Sequence, residues 1–361
     1  EYILANPQAI YLCIAMEDKN TFCNCAKCKE KTEKYGGADK GGEAGLEIAF
    51  VNDVADECGK WLKENYPERR MQFVTYAYLK TLKPPVVYDS AQKKYVATHE
   101  DVITRENVSV MFCPISQDYF YGIDTPQNGI NAEYFRGWQA ICENVMVYEY
   151  STDFSNYLIN FNNFDTIQER VRFYGKKRLS FYFEQTSWGT NTPCFDAMRI
   201  YVTSQLLFNP SQNFNDLKND FFKNYYKNAS DAMLEYYDSL RSVYQRLKDD
   251  GLVKGTVYYK LLDANYWKLG TLLSFNKIFD KAFAAIESEK GDAALYEKLW
   301  DRINREKLST MYMLCSLYRT DLSTDDYDQM VKDLEYYGGK YGIIYSREGG
   351  SYSALIADLK K

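Results

Sequence analysis

The sequence predicts an α/β protein whose parallel sheet comprises the last five strands of an eight-stranded (β/α) barrel, followed by an α-helical C-terminal region. Three observations predict this architecture. Apolar runs of strand length alternate with helical patterns as far as Gln185, four of the five runs end beside a carboxylate, and only helical periodicity follows Pro193. A free-standing doubly wound sheet is the alternative.

The predicted strands are rich in Val, Ile, Phe and Tyr. They span residues 10–16, 71–79, 108–115, 145–150 and 179–183. Helical patterns between them, clearest at 45–63 and 134–142, indicate crossovers between parallel strands. Five such strands do not close a barrel, so we expect three more strands upstream of Glu1. Since the chain also lacks an initiator Met, we interpret it as a processed or truncated product.

The C-terminal half is predicted to be helical throughout. Helical spacing of apolar residues extends over 195–208, 214–227, 229–249, 257–289, 293–317 and 324–336. We therefore divide the chain into residues 1–193, the C-terminal part of a barrel catalytic domain, and residues 194–361, the last barrel helix with an α-helical domain. The chain has 34 Tyr, most of which we expect in the core.

Composition excludes two classes of partner. The formal net charge of the 361 residues is -6, and no cluster of Lys and Arg appears that could hold a nucleic-acid backbone. No apolar run approaches the roughly 20 residues that a membrane span requires. The many aromatic residues, which combine a large apolar face with a polar tip, suit either a bulky core or a sugar-stacking cleft.

Candidate site residues lie where the predicted strands end, because ligands bind at the carboxyl ends of strands in parallel α/β folds. Taken alone, any one of these carboxylates could be a loop charge or a helix cap. We select Asp18, Glu149 and Glu184 as catalytic. The candidate substrate-binding residues are Tyr76, Tyr78, Gln117, Asp118, Tyr150, Gln185 and Trp188.

Glu184 stands out because aromatic residues flank it on both sides in the sequence, and Glu149 has a similar setting. A carboxyl in a poorly solvated aromatic pocket has a raised pKa, which suits a general acid near neutral pH. Pairs of carboxyl groups of this kind perform glycoside hydrolysis without a catalytic cofactor. The single histidine, His99, lies in a charged loop, which argues against Ser-His or Cys-His nucleophilic catalysis.

The cysteines suggest a metal rather than a disulfide framework. Cys23, Cys25 and Cys28 form a Cys-x-Cys-x-x-Cys cluster, a spacing that suits a structural zinc ion, although a fourth ligand is not evident nearby. A disulfide within the cluster and three reduced thiols are the alternatives. Cys13 and Cys113 lie in apolar runs, where we expect small core residues.

The order of these motifs resembles domain-of-unknown-function family 4838 over roughly residues 5–245. The resemblance includes the cysteine cluster, the strand at 74–78 before Lys83-Pro-Pro85, Gly137-Trp138, the segment 148–154, and Phe183-Glu-Gln185. The helix at 220–226 continues it. The family is glycoside-hydrolase-like and similar to glycoside hydrolase family 163, so the resemblance implies a (β/α)8 barrel preceded by a small α/β domain.

The resemblance also implies an activity. Members of glycoside hydrolase family 163 are retaining endo-β-N-acetylglucosaminidases that cut the chitobiose core of N-glycans, chiefly in gut Bacteroides, so we expect a secreted or otherwise extracytoplasmic protein. Such enzymes are expected to use the substrate's acetamide as nucleophile while one carboxyl protonates the leaving oxygen and another orients the acetamide. Asp18, Glu149 and Glu184 match the acidic strand ends, with Glu149 where many members have Asp.

Two alternatives remain open. An exo-acting glycosidase, such as an α-glucuronidase-like enzyme, would retain the chemistry and change the linkage. A non-catalytic glycan-binding protein would retain the barrel and lose the reaction. The identity of the released sugars distinguishes the endo-acting from the exo-acting glycosidase. Glycan binding without release of sugars would indicate the non-catalytic binding protein.

Overall fold

A computed structural model of the chain describes residues 1–176 and 179–361. They form two compact units. The first unit comprises Glu1–Gln117, Ile123–Glu149 and Phe173–Glu184, and the second comprises Asp118–Gly122, Tyr150–Arg172 and Gln185–Lys361. Within the described ranges, no helix combines the length and apolarity that crossing a membrane requires.

Nine strands and twelve α-helices make up the regular structure of the described residues. The strands are β1 (Tyr11–Cys13), β2 (Gln72–Ala77), β3 (Val86–Asp89), β4 (Lys94–Ala97), β5 (Val108–Phe112), β6 (Asn144–Tyr150), β7 (Tyr182–Gln185), β8 (Tyr345–Arg347) and β9 (Gly350–Ser351). The helices are α1 (Tyr2–Ala5), α2 (Ala26–Lys34), α3 (Gly42–Asn65), α4 (Gly129–Ile141), α5 (Ile167–Tyr174), α6 (Asp196–Phe208), α7 (Phe214–Tyr226), α8 (Ser230–Asp249), α9 (Leu269–Ala285), α10 (Ala293–Leu317), α11 (Thr324–Lys340) and α12 (Tyr352–Leu359).

One curled five-stranded sheet has the order β1-β2-β5-β6-β7. Neighbouring strands from β1 to β6 pair in parallel. The Val147 N–H donates to Phe181 O (3.0 Å) and the Ser151 N–H to Gln185 O (2.9 Å), a constant offset that makes β7 parallel to β6. The order never reverses, as it would at the switch point of a doubly wound sheet, so that alternative is wrong. The predicted parallel sheet and helical C-terminal region are confirmed.

Helices of the first unit cover one face of this sheet. Val51 and Ala55 of α3 pack with Phe73 of β2, and a second cluster joins α4 to β5 and β6 through residues such as Phe135 and Val147. We call this the helix side. The periodicity of α3 and α4 in the sequence predicted these contacts.

The opposite face, which we call the inner face, is only partly covered. Its core consists of Val74, Met111, Cys113 and Met146, with Tyr76, Tyr78 and Tyr148 packed against it. Phe181 and Phe183, at its β7 end, are 43% and 41% exposed. Cys113 is buried as predicted, but Cys13 is exposed because β1 lies at the end of the strand order, where only β2 flanks it.

The sequence analysis did not predict two β-hairpins. β3 pairs antiparallel with β4, and β8 with β9. Asp89 nucleates the first turn, because its Oδ1 accepts hydrogen bonds from the N–H groups of Ala91 and Gln92 at 2.9 and 3.0 Å. These strands have four residues or fewer, too short for periodicity to separate them from loops.

The second unit is built largely from helices, and aromatic rings fill its core. Phe195 and Phe222 pack together at 5.6 Å, and Tyr236 and Tyr237 are fully buried around them. Five of the six predicted C-terminal helices correspond to α6, α7, α8, α10 and α11. Eleven of the 22 Tyr of this unit are buried, so the prediction that most Tyr belong to the core is correct for only half of them here.

The predicted helix at 257–289 is wrong over its first third, since α9 begins only at Leu269. Backbone groups in and just before this segment pair partly with other loops and partly in isolated turns, such as that in which the Trp267 N–H donates to Asp263 O (3.0 Å). The Tyr119 N–H donates to Gly255 O (2.8 Å), and the Phe154 N–H to Val257 O (2.7 Å). Tertiary hydrogen bonds thus replace the helical ones at apolar positions that have helical spacing.

A buried carboxylate holds a strained turn before α6. Cys194 and Phe195 have φ values of +80° and +59°, a left-handed conformation that residues with a Cβ rarely adopt. Their N–H groups donate to the same oxygen of Glu306, at 2.7 and 2.8 Å. Burial raises the pKa of Glu306 to about 7. The carboxyl group therefore compensates for the strain of the turn.

Candidate functional site

Tyrosines line the inner face toward the carboxyl ends of its strands. The rings of Tyr76 and Tyr148 meet edge to face at 6.5 Å, and Tyr148 contacts Phe183 at 4.6 Å. Burial raises the pKa of both Tyr76 and Tyr78 to about 12. These phenols are therefore neutral at physiological pH and available as hydrogen-bond donors beside apolar ring faces.

Asp18 and Tyr78 form a pair at this edge. After burial, the nearby charge of Asp18 is the largest cause of the raised pKa of Tyr78. Asp18 is exposed. Cys13 likewise contributes to the raised pKa of Tyr76. The predicted residues Asp18 and Tyr78 are thus brought together, with an accessible carboxylate beside a phenol.

Glu149 and Glu184 lie next to each other on adjacent strands. The hydrogen-bond register of β6 and β7 sets Glu149 level with Phe183 and Glu184. Val147 packs on the helix side, so alternation directs Glu149 there too, whereas Phe183 contacts Tyr148 on the inner face. Glu184 therefore shares the helix side with Glu149. Neighbouring strands are about 4.8 Å apart, so these two residues have adjacent backbones and their side chains leave the same face of the sheet.

The two carboxyl groups differ in exposure. Glu149 is fully buried, and its Oε1 accepts a hydrogen bond of 2.5 Å from the Tyr174 hydroxyl of α5. Glu184 is only partly buried. The aromatic residues that flank them in the sequence do not surround them, because residues i−1 and i+1 of a strand point to the opposite face. Strand alternation could have shown this from the sequence.

Gln117 and Asp118, which follow β5, differ in their hydrogen bonding. Gln117 is buried, and neither its Oε1 nor its Nε2 has a hydrogen-bond partner among the described residues. Asp118 accepts hydrogen bonds from the N–H groups of Phe120 (3.1 Å) and Gly255 (2.9 Å), and burial raises its pKa. Asp118 therefore anchors a loop of the second unit.

Three more predicted substrate-binding residues belong, like Asp118, to the second unit. Tyr150 is buried against Tyr119 and Phe154, with ring centroids 6.3 and 6.1 Å away, and is thus a core residue. The backbone carbonyl of Gln185 accepts the Ser151 N–H. Trp188 is 67% exposed, so its ring is accessible to a ligand.

The cysteine cluster is compact. The Sγ atoms of Cys23, Cys25 and Cys28 all lie within 4.8 Å of one another. Cys25 caps α2, and its Sγ accepts the Cys28 N–H at 3.4 Å. Hydrogen bonds with Cys23 and then Cys25 raise the pKa of Cys28 to about 11. Three converging sulfur atoms are close enough to bind one metal ion, and thiolates suit a soft or borderline ion such as Zn²⁺.

The sequence matches a known family over most of its length. Residues 1–238 match the family described as a domain of unknown function, DUF4838. The chain belongs to this family. The match covers all strand ends considered above and the cysteine cluster, and it stops within α8. Comparison with curated proteins and with solved structures found no match.

Proposed function

We propose that this member of DUF4838 is a retaining glycoside hydrolase, an endo-β-N-acetylglucosaminidase that acts on N-glycans with the substrate's acetamide as nucleophile. The placement of Glu149 and Glu184 on adjacent strands at the carboxyl end of a parallel sheet carries the proposal. Glycoside hydrolysis needs a carboxyl group that keeps its proton near neutral pH, and a second carboxylate beside it has that effect. The choice of N-glycan rests on the resemblance to glycoside hydrolase family 163.

Glu184 is the general acid in this proposal, because it is the more exposed of the pair. Its proton passes to the glycosidic oxygen while the acetamide oxygen bonds to the anomeric carbon and the bond to the leaving group breaks. Water then opens the resulting oxazolinium ion, with Glu184 recovering a proton as general base. Glu149, enclosed and bonded by Tyr174, is a positioning residue that favours the protonated form of Glu184.

Asp18 and Tyr78 supply the second function that substrate assistance requires. An exposed carboxylate beside a neutral phenol can accept the acetamide N–H, and this contact holds the acetamide oxygen toward the anomeric carbon. Tyr76 and Tyr148 offer ring faces for the sugar on the inner face. Asp18 is therefore assigned the orienting role, and Glu184 the proton transfer. Because Glu184 lies on the helix side, the bound sugar must extend over the carboxyl ends of the strands to reach both groups.

The proposal includes a complete barrel and an extracytoplasmic location. A complete (β/α)8 barrel would cover Phe181 and Phe183 on the inner face, and their exposure supports such a completion. An N-glycan substrate also implies an extracytoplasmic location. Pairing of β1 and β7 with further strands in an experimental structure of the natural protein would establish closure, and two solvent-exposed edges would contradict it.

The activity is tested by incubating the natural protein with an N-glycoprotein and analysing glycans and protein by mass spectrometry. We expect free glycans that keep one N-acetylglucosamine at the reducing end, and protein that keeps the other. Release of monosaccharides, glucuronic acid included, would indicate the exo-acting alternative. Glycan binding without release would indicate a binding protein.

The positioning role of Glu149 is tested by the pH dependence of kcat/KM. Removing its charge by Glu149→Gln should make Glu184 lose its proton more easily, so the alkaline limb of the profile moves to lower pH. A structural role would lower activity equally at all pH values and leave the limb in place. Exposed Glu17, which is paired with Lys19, provides a matched control as Glu17→Gln.

We also propose that Cys23, Cys25 and Cys28 bind a structural zinc ion that fixes the loop between β1 and α2. Elemental analysis of the natural protein should find about one zinc per chain, and Cys25→Ser or Cys28→Ser should lower that content. Cys58→Ser, which changes a cysteine on α3 outside the cluster, is the control. Metal-free protein with three titratable thiols in the cluster would contradict the proposal.

A further inference from the structure

Trp188 and Tyr345 form an exposed aromatic pair in the second unit. Their ring centroids are 5.3 Å apart with an interplanar angle of 39°, and Trp188 is 67% exposed while Tyr345 is half-buried. Trp188 is three residues beyond the end of β7. Large aromatic side chains usually bury most of their surface, so a pair that keeps a face in solvent indicates a binding surface.

Hydrogen bonds fix the loop that bears Trp188. The hydroxyl oxygen of Thr190 accepts the N–H groups of Ile344 and Tyr345 at 2.8 and 3.3 Å. The Asn191 side-chain amide donates to Tyr341 O at 3.0 Å. The loop is thus tied to the chain segment that carries Tyr345, and the Trp188 ring is held in solvent by an ordered backbone.

Gly189 permits the close approach of the two rings. Its φ is +62°, and a Cβ atom at this position would lie 3.3 Å from Cε2 of Tyr345. A side chain here would press on the Tyr345 ring and would strain the backbone. The contact between the loop and Tyr345 therefore depends on glycine at position 189.

The two rings come from different parts of the chain. Trp188 lies within the family match, whereas Tyr345 lies about a hundred residues beyond its end at residue 238. The β8–β9 hairpin that carries Tyr345 is attached to the segment after β6, since the Tyr157 N–H donates to Ser346 O (2.9 Å) and the Glu348 N–H to Phe154 O (2.9 Å). The C-terminal hairpin thus adds a ring to a loop of the family domain.

We propose that Trp188 and Tyr345 form a stacking platform for a pyranose ring of the glycan, one that lies outside the bond to be cleaved. The proposal rests on the proposed function for its substrate class. The apolar C–H face of a pyranose packs against aromatic rings, and a rigid platform binds it with little loss of conformational freedom. Tyr345 is thereby a specificity-determining residue supplied from outside the family domain.

Calorimetric titration in a Glu184→Gln background, which prevents turnover, tests the platform. The probes are N-acetylglucosamine, N,N′-diacetylchitobiose and an oligomannose oligosaccharide with the chitobiose core. Trp188→Ala and Tyr345→Ala should each weaken oligosaccharide binding about tenfold or more. Tyr345→Phe, which keeps the ring, should bind as the parent does. Tyr336→Ala, which removes a 66% exposed ring on α11, is the matched control and should leave the affinity unchanged.

Two of the three outcomes separate the platform from the catalytic proposal. Oligosaccharide binding that Trp188→Ala and Tyr345→Ala leave intact, in protein whose thermal unfolding is unchanged, overturns the platform even if wild-type protein hydrolyses glycans. Weakened binding in both variants supports it even if wild-type protein hydrolyses none, in which case the catalytic proposal alone fails. Absence of binding to all three probes overturns both.

Discussion

The inner face of the sheet and the helical core of the second unit use aromatic residues in opposite ways. On the inner face, Tyr76, Tyr148 and Phe183 line a surface that remains partly open. In the helical core, Phe222, Tyr236 and similar residues are fully buried among one another. The same residue types therefore line a surface in one region and fill a core in the other. Exposure distinguishes them, because it decides whether a ring contributes to stability or to binding.

The largest effect should appear when the same residue type is truncated in both regions. Phe222 is fully buried against Phe195, Tyr226 and Tyr237, so Phe222→Ala should lower the free energy of unfolding by about 3–5 kcal/mol. Phe183→Ala, at a 41% exposed position, should cost under about 1 kcal/mol. Urea unfolding followed by circular dichroism measures both. Equal losses would contradict the distinction between the two regions.

The catalytic assignment predicts a change of activity with little change of stability. Glu184→Gln keeps the shape of the side chain and removes the transferable proton, so turnover should fall about a hundredfold or more, equivalent to about 2.7 kcal/mol. An activated aryl leaving group, which needs little protonation, should recover much of the rate. Wild-type turnover of a natural glycan by this variant would make Glu184 a structural strand-end residue.

The strained turn in the second unit predicts a loss of stability without a direct catalytic effect. Glu306→Ala leaves the buried N–H groups of Cys194 and Phe195 without their acceptor and should cost about 2 kcal/mol or more. Glu306→Gln keeps an oxygen that can accept both, so it should retain most of the stability. Equal destabilisation by the two substitutions would show that the charge, not the acceptor, holds the turn.

The smallest effect, taken per pH unit and per group, is a dependence of stability on pH in the second unit. Burial raises the pKa of both Glu306 and Asp153 to about 7, above the ordinary range of carboxyl groups. For Glu306, nearby Asp196 adds to this effect and Arg305 opposes it. Between about pH 4.5 and 7 the folded state retains protons that the unfolded state has lost. Stability should therefore fall as pH rises through this window, by at most about 1.4 kcal/mol per pH unit for each group.

Unfolding measured from pH 5 to 8 checks this dependence. Glu306→Gln should remove the contribution of Glu306, and Asp153→Asn that of Asp153, so each variant should have a flatter profile than the wild-type protein. A wild-type profile that rises toward pH 8 would reverse the expected sign and would mean that both carboxyl groups are better stabilised as anions than as acids.

The sequence by itself determined the parallel sheet, the positions of most helices and the composition of the strand ends. The spacing of apolar residues is a local property. It therefore predicts directly that Val108 lies in a strand, β5, and that Leu299 lies in a helix, α10. The cysteine spacing likewise predicted a compact cluster, since three thiols within six residues cannot lie far apart. The family assignment followed from the same local motifs.

Only the tertiary structure decided which groups meet. The sequence did not reveal that Tyr174 bonds Glu149, that Glu306 holds the turn at Cys194 and Phe195, or that Tyr345 joins Trp188. Its helical periodicity also predicted a helix over residues 257–268, where tertiary hydrogen bonds form instead. Each of these contacts joins residues distant in the sequence, and its free energy depends on burial and register, which no local pattern encodes.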